Sequence, residues 1–312
     1  MKIANVGKPE RQDEEGDLLP MVDAHHHLWQ LDALEYGWLR ARGTPKPFGD
    51  PTPIQRDYLL DEYRHDCAVM NVCKSVHVQA DGALPDPVAE TAWLQGIADQ
   101  YGFPHGIIGF ADLLQDDLAE TLARHCCYPN FRGIRQIVSR HPDTRLSFCQ
   151  RDLLAEDKWR ANFSLLGELG LSFELQLYPH QMAQAAHFLA HYPEIPVVIS
   201  HAGSPWDQSE EGICAWREGL SLLASLDQVY IKVSGLGMFD HALHEERVGL
   251  IIRTILELFG SQRMMLGSNF PVDSLYADYS SVIGLYRQQL STLSRTEQVA
   301  ILSTNAERFY RI

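Results

Sequence analysis

No apolar run in the 312-residue chain approaches the roughly 18 to 20 residues that a transmembrane helix requires. The N-terminus also lacks a basic head followed by an apolar segment, which is the pattern of a secretory signal peptide. Both absences argue against a membrane partner and against export. We therefore expect a cytoplasmic protein.

Basic residues are also scarce. The sequence has 26 Lys and Arg against 41 Asp and Glu, a formal net charge of −15 and a pI near 5.3. Binding to the phosphate backbone of DNA or RNA needs a basic surface, so this balance argues against a nucleic-acid partner. A small-molecule substrate is the expected partner, and a homo-oligomer is possible.

Two classes of motif are missing. None of the six cysteines stands in the C-x-x-C spacing of a zinc site, and reduced thiols are the simplest interpretation in a cytosolic protein of this size. No Gly-x-Gly-x-x-Gly follows a predicted strand, which argues against a dinucleotide-binding sheet.

What the sequence does contain is a repeated alternation of strand and helix patterns. Eight strand-like segments are separated by helical segments over roughly 250 residues, which is typical of a (β/α)8 TIM barrel of the α/β class. The predicted strands cover residues 22–29, 72–80, 105–111, 131–138, 171–178, 196–201, 229–235 and 263–269. We predict a loose leader over residues 1–20 and a single barrel domain over 21–312, whose C-terminal helical extension packs on the barrel exterior.

Three consecutive histidines, His25, His26 and His27, lie at the end of the first predicted strand. Alternation along a strand points His25 and His27 to one face and His26 to the other. Chemistry in TIM barrels sits at the carboxyl ends of the strands, and this rule adds His201 from the sixth strand. Because imidazole is a good zinc ligand, these three can hold one divalent metal ion, with zinc favoured. For the triplet alone, a polar surface turn is the alternative.

The same rule selects further candidates for contact with substrate or water. They are His77, Gln79, Arg135, Gln176, Lys232, Asn269 and nearby Asp273. Two alternatives stay open: His77 is equally a satisfied core histidine, and Lys232 can pair structurally with a carboxylate such as Glu174.

A long connection over residues 30–55 follows the first strand and contains Tyr36, Trp38, Leu39 and Phe48. Loops of this length in compact domains are often functional, so this segment can form a wall or lid of the site. A passive surface loop is the alternative.

Six segments together resemble a known family, the amidohydrolase-related metal-dependent hydrolases, in the branch that includes pyrone-dicarboxylate lactonase and sugar-lactone hydrolases. The segments occur in the family's order and on the predicted strands. They are Asp23-Ala24-His25-His26-His27-Leu28-Trp29, Gly133-Ile134-Arg135, Ile199-Ser200-His201-Ala202-Gly203, Lys232-Val233-Ser234-Gly235, Leu266-Gly267-Ser268-Asn269-Phe270-Pro271-Val272 and Asn305-Ala306-Glu307-Arg308-Phe309-Tyr310.

This resemblance implies a TIM barrel and assigns roles to individual residues. His25 and His27 correspond to the first-strand metal pair and His201 to the sixth-strand histidine. Arg135 corresponds to an arginine that grips a substrate carboxylate or carbonyl, a task that suits its forked donors. Trp29 and Gln79 correspond to pocket walls. The fifth strand offers no strand-end histidine, so the resemblance implies one metal or a metal-independent site.

Asn269 departs from the family pattern, in which an aspartate takes a proton from the attacking water. A carboxamide cannot accept that proton at neutral pH, although its oxygen can orient water. Asp273 could return a carboxylate to the site, or His201 could act as base if no metal claims it. The alternative for Asp273 is a helix cap.

The resemblance and the residues lead to one hypothesis and two alternatives. The hypothesis is a hydrolase that opens a lactone or cyclic ester of a small carboxylated or hydroxylated compound. The first alternative is metal-dependent, non-oxidative decarboxylation of an aromatic acid, as in related families. The second is a ligand-binding barrel that has lost hydrolysis because Asn269 replaces the usual aspartate.

Overall fold

The computed structural model describes residues 18–80 and 82–312. Most of the predicted leader, residues 1–17, therefore lies outside the described residues. Eight parallel strands pair in sequence order, each with the next. They are β1 Met21–His26, β2 Val72–Val78, β3 Gly106–Gly109, β4 Phe131–Arg135, β5 Ser172–Leu175, β6 Val197–Ile199, β7 Val229–Val233 and β8 Met264–Leu266.

Helices lie between the strands and after the last one. Those between the strands are α1 Gly37–Arg40, α2 Leu60–Cys67, α3 Ala89–Tyr101, α4 Leu118–Cys126, α5 Asp157–Asn162, α6 Ser164–Glu168, α7 Met182–Leu189, α8 Glu210–Ala224, α9 Gly237–Asp240 and α10 Glu245–Phe259. Those after β8 are α11 Tyr279–Leu290, α12 Arg295–Val299 and α13 Asn305–Tyr310. Across the described ranges, none of the helices has the length and apolar character needed to cross a bilayer.

The predicted TIM barrel is confirmed, with a seam between β1 and β8. Two backbone bonds connect the seam above β8: the Asn269 N–H donates to His25 O, and the His27 N–H donates to Phe270 O, both at 2.7 Å. Asp23 supports the seam from the outside, because its carboxylate accepts from the Ser268 N–H at 2.8 Å and the Ser268 hydroxyl at 2.7 Å. The first and eighth strands are thereby held in a fixed relation.

A bulge in β1 sets the direction of the histidines. Asp23 pairs with Ser75 and His26 with His77, so β1 has one residue more than β2 over this interval. Ala24 belongs to an interior apolar cluster, and the extra residue allows the His25 ring to face the interior as well. His26 faces outward, where it stacks on Tyr63 of α2 at 4.1 Å between ring centroids.

The predicted packing of the C-terminal helical extension on the barrel exterior is wrong for its last helix, α13. Helix α12 continues through a π-helical segment, Ala300–Thr304, into α13. Ala306, Phe309 and Tyr310 join the apolar cluster inside the barrel, and the Tyr310 hydroxyl donates to Glu174 Oε1 at 2.5 Å. Because several strands are only three or four residues long, α13 supplies side chains that fill the amino end of the barrel.

Candidate active site

One cavity of about 560 Å³ opens at the carboxyl ends of the strands. Its buried, polar part, which we call the floor, comes from strand ends. The floor consists of His27, Gln79, Arg135, Gln176, His201 and Asn269. The opposite part is largely apolar and comes from loops, chiefly residues 30–55 and 136–156.

His25, His27 and His201 form a compact histidine group, in which His27 and His201 belong to the floor and His25 adjoins them without lining the cavity. The His25 ring lies 5.1 Å from that of His27 and 4.6 Å from that of His201, between centroids. His27 Nδ1 lies 2.7 Å from Val78 O. Because a carbonyl only accepts, Nδ1 carries the proton and Nε2 keeps its lone pair. His201 Nδ1 lies 3.0 Å from Ser234 Oγ.

Burial keeps these three histidines uncharged. It lowers the pKa of His25 well below its usual value, and the Lys232 ammonium lowers it further. Burial and then the Arg135 guanidinium lower the pKa values of His27 and His201 well below the usual value. At neutral pH the group therefore presents neutral imidazoles, the form that binds a metal or accepts a proton.

The chemistry of the histidine group fits a divalent ion. Both His25 ring nitrogens are buried without a hydrogen-bond partner, and a buried polar atom of this kind is costly unless a ligand satisfies it. Within residues 18–80 and 82–312, however, no three or more His, Cys, Asp or Glu side chains are arranged so that they could hold a metal as they stand. A metal site would therefore require these imidazoles to adjust.

The backbone around His201 is strained. Four consecutive residues after β6 have positive φ: His201 at 52°, Ala202 at 53°, Gly203 at 71° and Ser204 at 53°. Glycine adopts the φ of 71° at Gly203 without strain, and a Cβ there would also require Met182 Cε, 2.6 Å away, to move. Strain of this kind is often concentrated at functional sites, where the surrounding structure maintains it.

Arg135, at the end of β4, is a buried cation without a carboxylate in contact. One terminal nitrogen donates to Gln79 O at 2.6 Å and the other to Gln176 Oε1 at 3.3 Å, while Nε has no partner. Burial lowers the pKa of Arg135 to about 10, which still leaves it charged at neutral pH. An anionic or carbonyl oxygen in the cavity would supply the missing acceptor.

Asn269 and Asp273 form a hydrogen-bonded pair. Asn269 has a φ of 57°, a left-handed conformation that asparagine tolerates. Its Nδ2 donates to Asp273 Oδ1 at 2.9 Å, which leaves the amide oxygen available to the cavity. Asp273 does not line the cavity, its Oδ2 has no partner, and burial raises its pKa to about 7. The helix-cap alternative does not apply, because Asp278 caps α11.

Two predicted substrate-binding residues, His77 and Lys232, are not among the residues that line the cavity. His77 is buried, and its Nε2 lies 3.2 Å from Leu28 O. Its neighbours Val76 and Val78 belong to the interior cluster, so alternation along β2 turns His77 outward. The structure therefore agrees with the alternative that His77 is a buried core histidine rather than a substrate-binding residue.

Lys232 lies inside the barrel and pairs with a carboxylate. Its Nζ donates to Glu174 Oε1 at 2.7 Å and to Ala24 O at 2.8 Å, and neither charged side chain is exposed. Burial lowers the pKa of Lys232 to about 8 despite the Glu174 carboxylate. Ala24 precedes the histidines, so this ion pair supports the group rather than contacting a ligand.

The apolar part of the cavity contains rings that the sequence did not single out. Trp29, Trp38 and Phe48 were noted in the sequence, and all three line the cavity. Phe110 and Phe148 line it too. Phe110 lies in the predicted third strand, one residue beyond the end of β3, and Phe148 lies in the irregular segment after β4. We call the rings of Trp29, Trp38, Phe48 and Phe148 the aromatic wall.

The barrel, its strand-end histidines and its length match one protein family. Residues 22–312 match the family model described as amidohydrolase. The chain therefore belongs to the amidohydrolase family, a family of hydrolases that is typically metal-dependent.

Individual relatives are similar over nearly the full length. An uncharacterised protein, y4mH of Sinorhizobium fredii, is 35% identical over 297 residues, 94% of this chain and 99% of the relative. L-fucono-1,5-lactonase of Burkholderia multivorans is 29% identical over 304 residues, 93% of this chain and 96% of that enzyme. The crystal structure of a Burkholderia multivorans amidohydrolase with bound zinc is 26% identical and gives a TM-score of 0.79, over 94% of this chain and 99% of that chain.

Proposed function

We propose that this protein hydrolyses a lactone or cyclic ester of a small carboxylated or hydroxylated compound. The single observation that carries this proposal is the set of N–H donors on Arg135 at the cavity floor, because this buried cation has no carboxylate in contact and its Nε has no partner. A bound carbonyl or carboxylate oxygen would satisfy them. The similarity to L-fucono-1,5-lactonase supports a lactone as the substrate class.

In this proposal, Arg135 binds an oxygen of the substrate through the N–H donors that its bonds to Gln79 O and Gln176 Oε1 leave unused. The water that attacks the carbonyl donates a hydrogen bond to the Asn269 amide oxygen. If no metal claims it, neutral His201 accepts the proton of that water at Nε2, with its Nδ1–H donated to Ser234 Oγ. The water oxygen bonds to the lactone carbonyl carbon, the ring C–O bond breaks, and the proton passes from His201 to the leaving oxygen, which gives the open hydroxy acid.

A divalent ion held by His25, His27 and His201 would supply Lewis-acid polarisation of the lactone carbonyl when bound. Asp273 is a positioning residue in this proposal, since it contacts Asn269 from behind and does not line the cavity. It keeps Nδ2 away from the cavity and thereby presents the amide oxygen to water.

Turnover of a lactone panel by the purified protein tests this proposal. The panel contains L-fucono-1,5-lactone, D-gluconolactone, δ-valerolactone and dihydrocoumarin, each measured with and without chelator and with metal analysis of the protein. Arg135→Met removes the buried donors, and we expect kcat/KM to fall by about 100-fold or more. Arg132→Met is the matched control, because Arg132 lies on the same strand but is not part of the cavity lining.

Equal losses in the two arginine variants would contradict the assigned role of Arg135. Bound metal without turnover of any lactone, ester or amide would overturn hydrolysis and favour a ligand-binding barrel. Release of carbon dioxide from an aromatic acid, without lactone turnover, would favour the decarboxylase alternative.

A further inference from the structure

The aromatic wall connects the floor to the rim of the cavity through an unbroken series of ring contacts. Trp29 lies 6.2 Å from His27, nearly parallel to it, and 5.6 Å from Trp38, edge to face. Trp38 lies 6.0 Å from Phe48, again edge to face, and Phe48 lies 6.5 Å from Phe148, nearly parallel. Distances are between ring centroids. A ligand that reaches the histidines therefore lies along aromatic surface.

Three polar side chains beside this wall already have partners, whereas Lys46, which also lines the cavity, has its Nζ 6.0 Å from the centroid of the Trp38 ring. Asp112 Oδ1 accepts from Gln136 Nε2 at 2.7 Å, and Gln136 Oε1 accepts from Trp159 Nε1 at 2.7 Å. Arg151 donates to Glu156 Oε1 at 2.7 Å. Among the described residues that line the cavity, the side chains with a buried polar atom lacking a partner are Gln79 and Arg135 of the floor.

This separation of polar and apolar surface limits the ligand. A sugar lactone carries hydroxyl groups around its ring, and those that face the rings of the aromatic wall would lose water without gaining a hydrogen bond from them. An apolar ring would instead bury its faces against Trp38, Phe48 and Phe148 and leave the lactone carbonyl for the floor.

We propose that the lactone opened here carries a flat apolar body, and that Trp38, Phe48 and Phe148 select it over polyhydroxylated sugar lactones. This inference rests on the proposed hydrolytic function where it is tested by turnover. A test by ligand binding does not depend on hydrolysis. The body is an aromatic ring fused or attached to the lactone ring, since the cavity offers ring faces and edges rather than a narrow alkyl channel.

The catalytic test compares dihydrocoumarin with L-fucono-1,5-lactone. We expect kcat/KM to favour dihydrocoumarin by about 10- to 100-fold. Phe148→Ser should raise KM for dihydrocoumarin about tenfold and leave kcat unchanged, because the wall binds the part of the substrate that does not react. The same variant should leave KM for δ-valerolactone, which has no apolar body, unchanged. Tyr101→Ala, an exposed aromatic on α3, is the matched control.

The binding test is calorimetric titration with two lactams that cannot be hydrolysed under assay conditions, one analogous to dihydrocoumarin and one to fuconolactone. We expect the aromatic lactam to bind more tightly, and Phe148→Ser to weaken only that lactam. Tight binding of the aromatic lactam without any lactone turnover would overturn the proposed function and support this inference.

Turnover of sugar lactones with equal or better kcat/KM would overturn the inference while the hydrolytic function stands. Equal affinities for the two lactams, or no binding of either, would also overturn the inference. A KM for dihydrocoumarin that Phe148→Ser does not change would also overturn it, provided that the variant's circular dichroism and thermal unfolding match the wild type.

Discussion

The floor and the aromatic wall of the cavity are built in opposite ways. Floor residues such as Arg135 and His201 stand at strand ends, are buried, and carry polar atoms whose positions follow from the backbone bonds of the barrel. Wall residues such as Trp38, on the short helix α1, and Phe148 stand on the connections between strands, are half-buried and present apolar rings. The floor therefore suits the chemistry that relatives share, whereas the wall is free to define the substrate.

Support for the two regions differs as well. Beneath the floor, Glu174 accepts hydrogen bonds from Lys232, from the Tyr310 hydroxyl and from the Ser200 hydroxyl at 3.2 Å. Separate hydrogen bonds hold the wall: Trp29 Nε1 donates to Arg56 O at 2.7 Å, Trp38 Nε1 donates to Ala80 O at 2.9 Å, and the Tyr276 hydroxyl donates to Phe48 O. Loss of support should therefore unfold the protein beneath the floor but only loosen binding at the wall.

The largest effect is expected from Glu174→Gln. The variant leaves the buried Lys232 ammonium without its counter-charge, and we expect the free energy of unfolding to fall by about 3 to 5 kcal/mol. Urea denaturation of the variant and the wild type measures this difference in unfolding free energy. Glu156→Gln is the matched control, since Glu156 pairs with Arg151 at the surface, with side chains 36% and 59% exposed. It should cost about 0 to 1 kcal/mol. Similar losses of unfolding free energy in the two variants would show that the buried ion pair stabilises the protein no more than the surface pair does.

Much of the floor could be predicted from the sequence because parallel strands of a barrel present their carboxyl ends at one rim. His27, Arg135, His201 and Asn269 needed only that rule. The sequence did not indicate whether an inward-facing residue lies at the cavity or deeper within the barrel. Lys232 is the fourth residue of β7, Val229–Val233, and its side chain lies within the barrel rather than at the cavity.

Other features depended on contacts that no local pattern records. The bulge in β1 depends on pairing with β2, so the sequence did not indicate that both Ala24 and His25 face inward. The contact between Phe48 and Phe148 joins two loops far apart in the chain. His77 is different, because its interior-facing neighbours Val76 and Val78 gave a usable signal that it faces outward.

An intermediate effect is expected from Asp273→Asn, behind the floor. The folded-state pKa of Asp273, about 7, lies above its usual 3.8, so the protonated carboxyl is favoured in the fold. Its contribution to stability is full below the unfolded-state pKa and is lost as the pH rises through about 7. In the wild type, titration of Asp273 lowers the free energy of unfolding by about 1 kcal/mol per pH unit between about pH 5 and about pH 8. In the variant, this contribution to the slope should disappear.

Asp278→Asn is the control for this titration. Its pKa is lowered by the hydrogen bond from the Ser280 hydroxyl, so its contribution is lost only as the pH falls through that lowered value. Denaturation at about pH 5 and about pH 8 should therefore give the same change in unfolding free energy for Asp278→Asn as for the wild type. A wild-type slope that persists in Asp273→Asn would mean that another group titrates there.

The smallest effect is expected from Tyr276→Phe, which removes one connection of the wall. The Tyr276 ring stacks on His241 at 5.2 Å between centroids, and its hydroxyl donates to Phe48 O. Without that bond, we expect KM for dihydrocoumarin to rise about 2- to 5-fold at unchanged kcat, equivalent to about 1 kcal/mol or less. Tyr192→Phe removes a comparable bond, to Arg160 O at 2.8 Å, away from the cavity. It should cost similar stability and leave KM unchanged. A lower kcat in Tyr276→Phe would show that the wall also orders the floor.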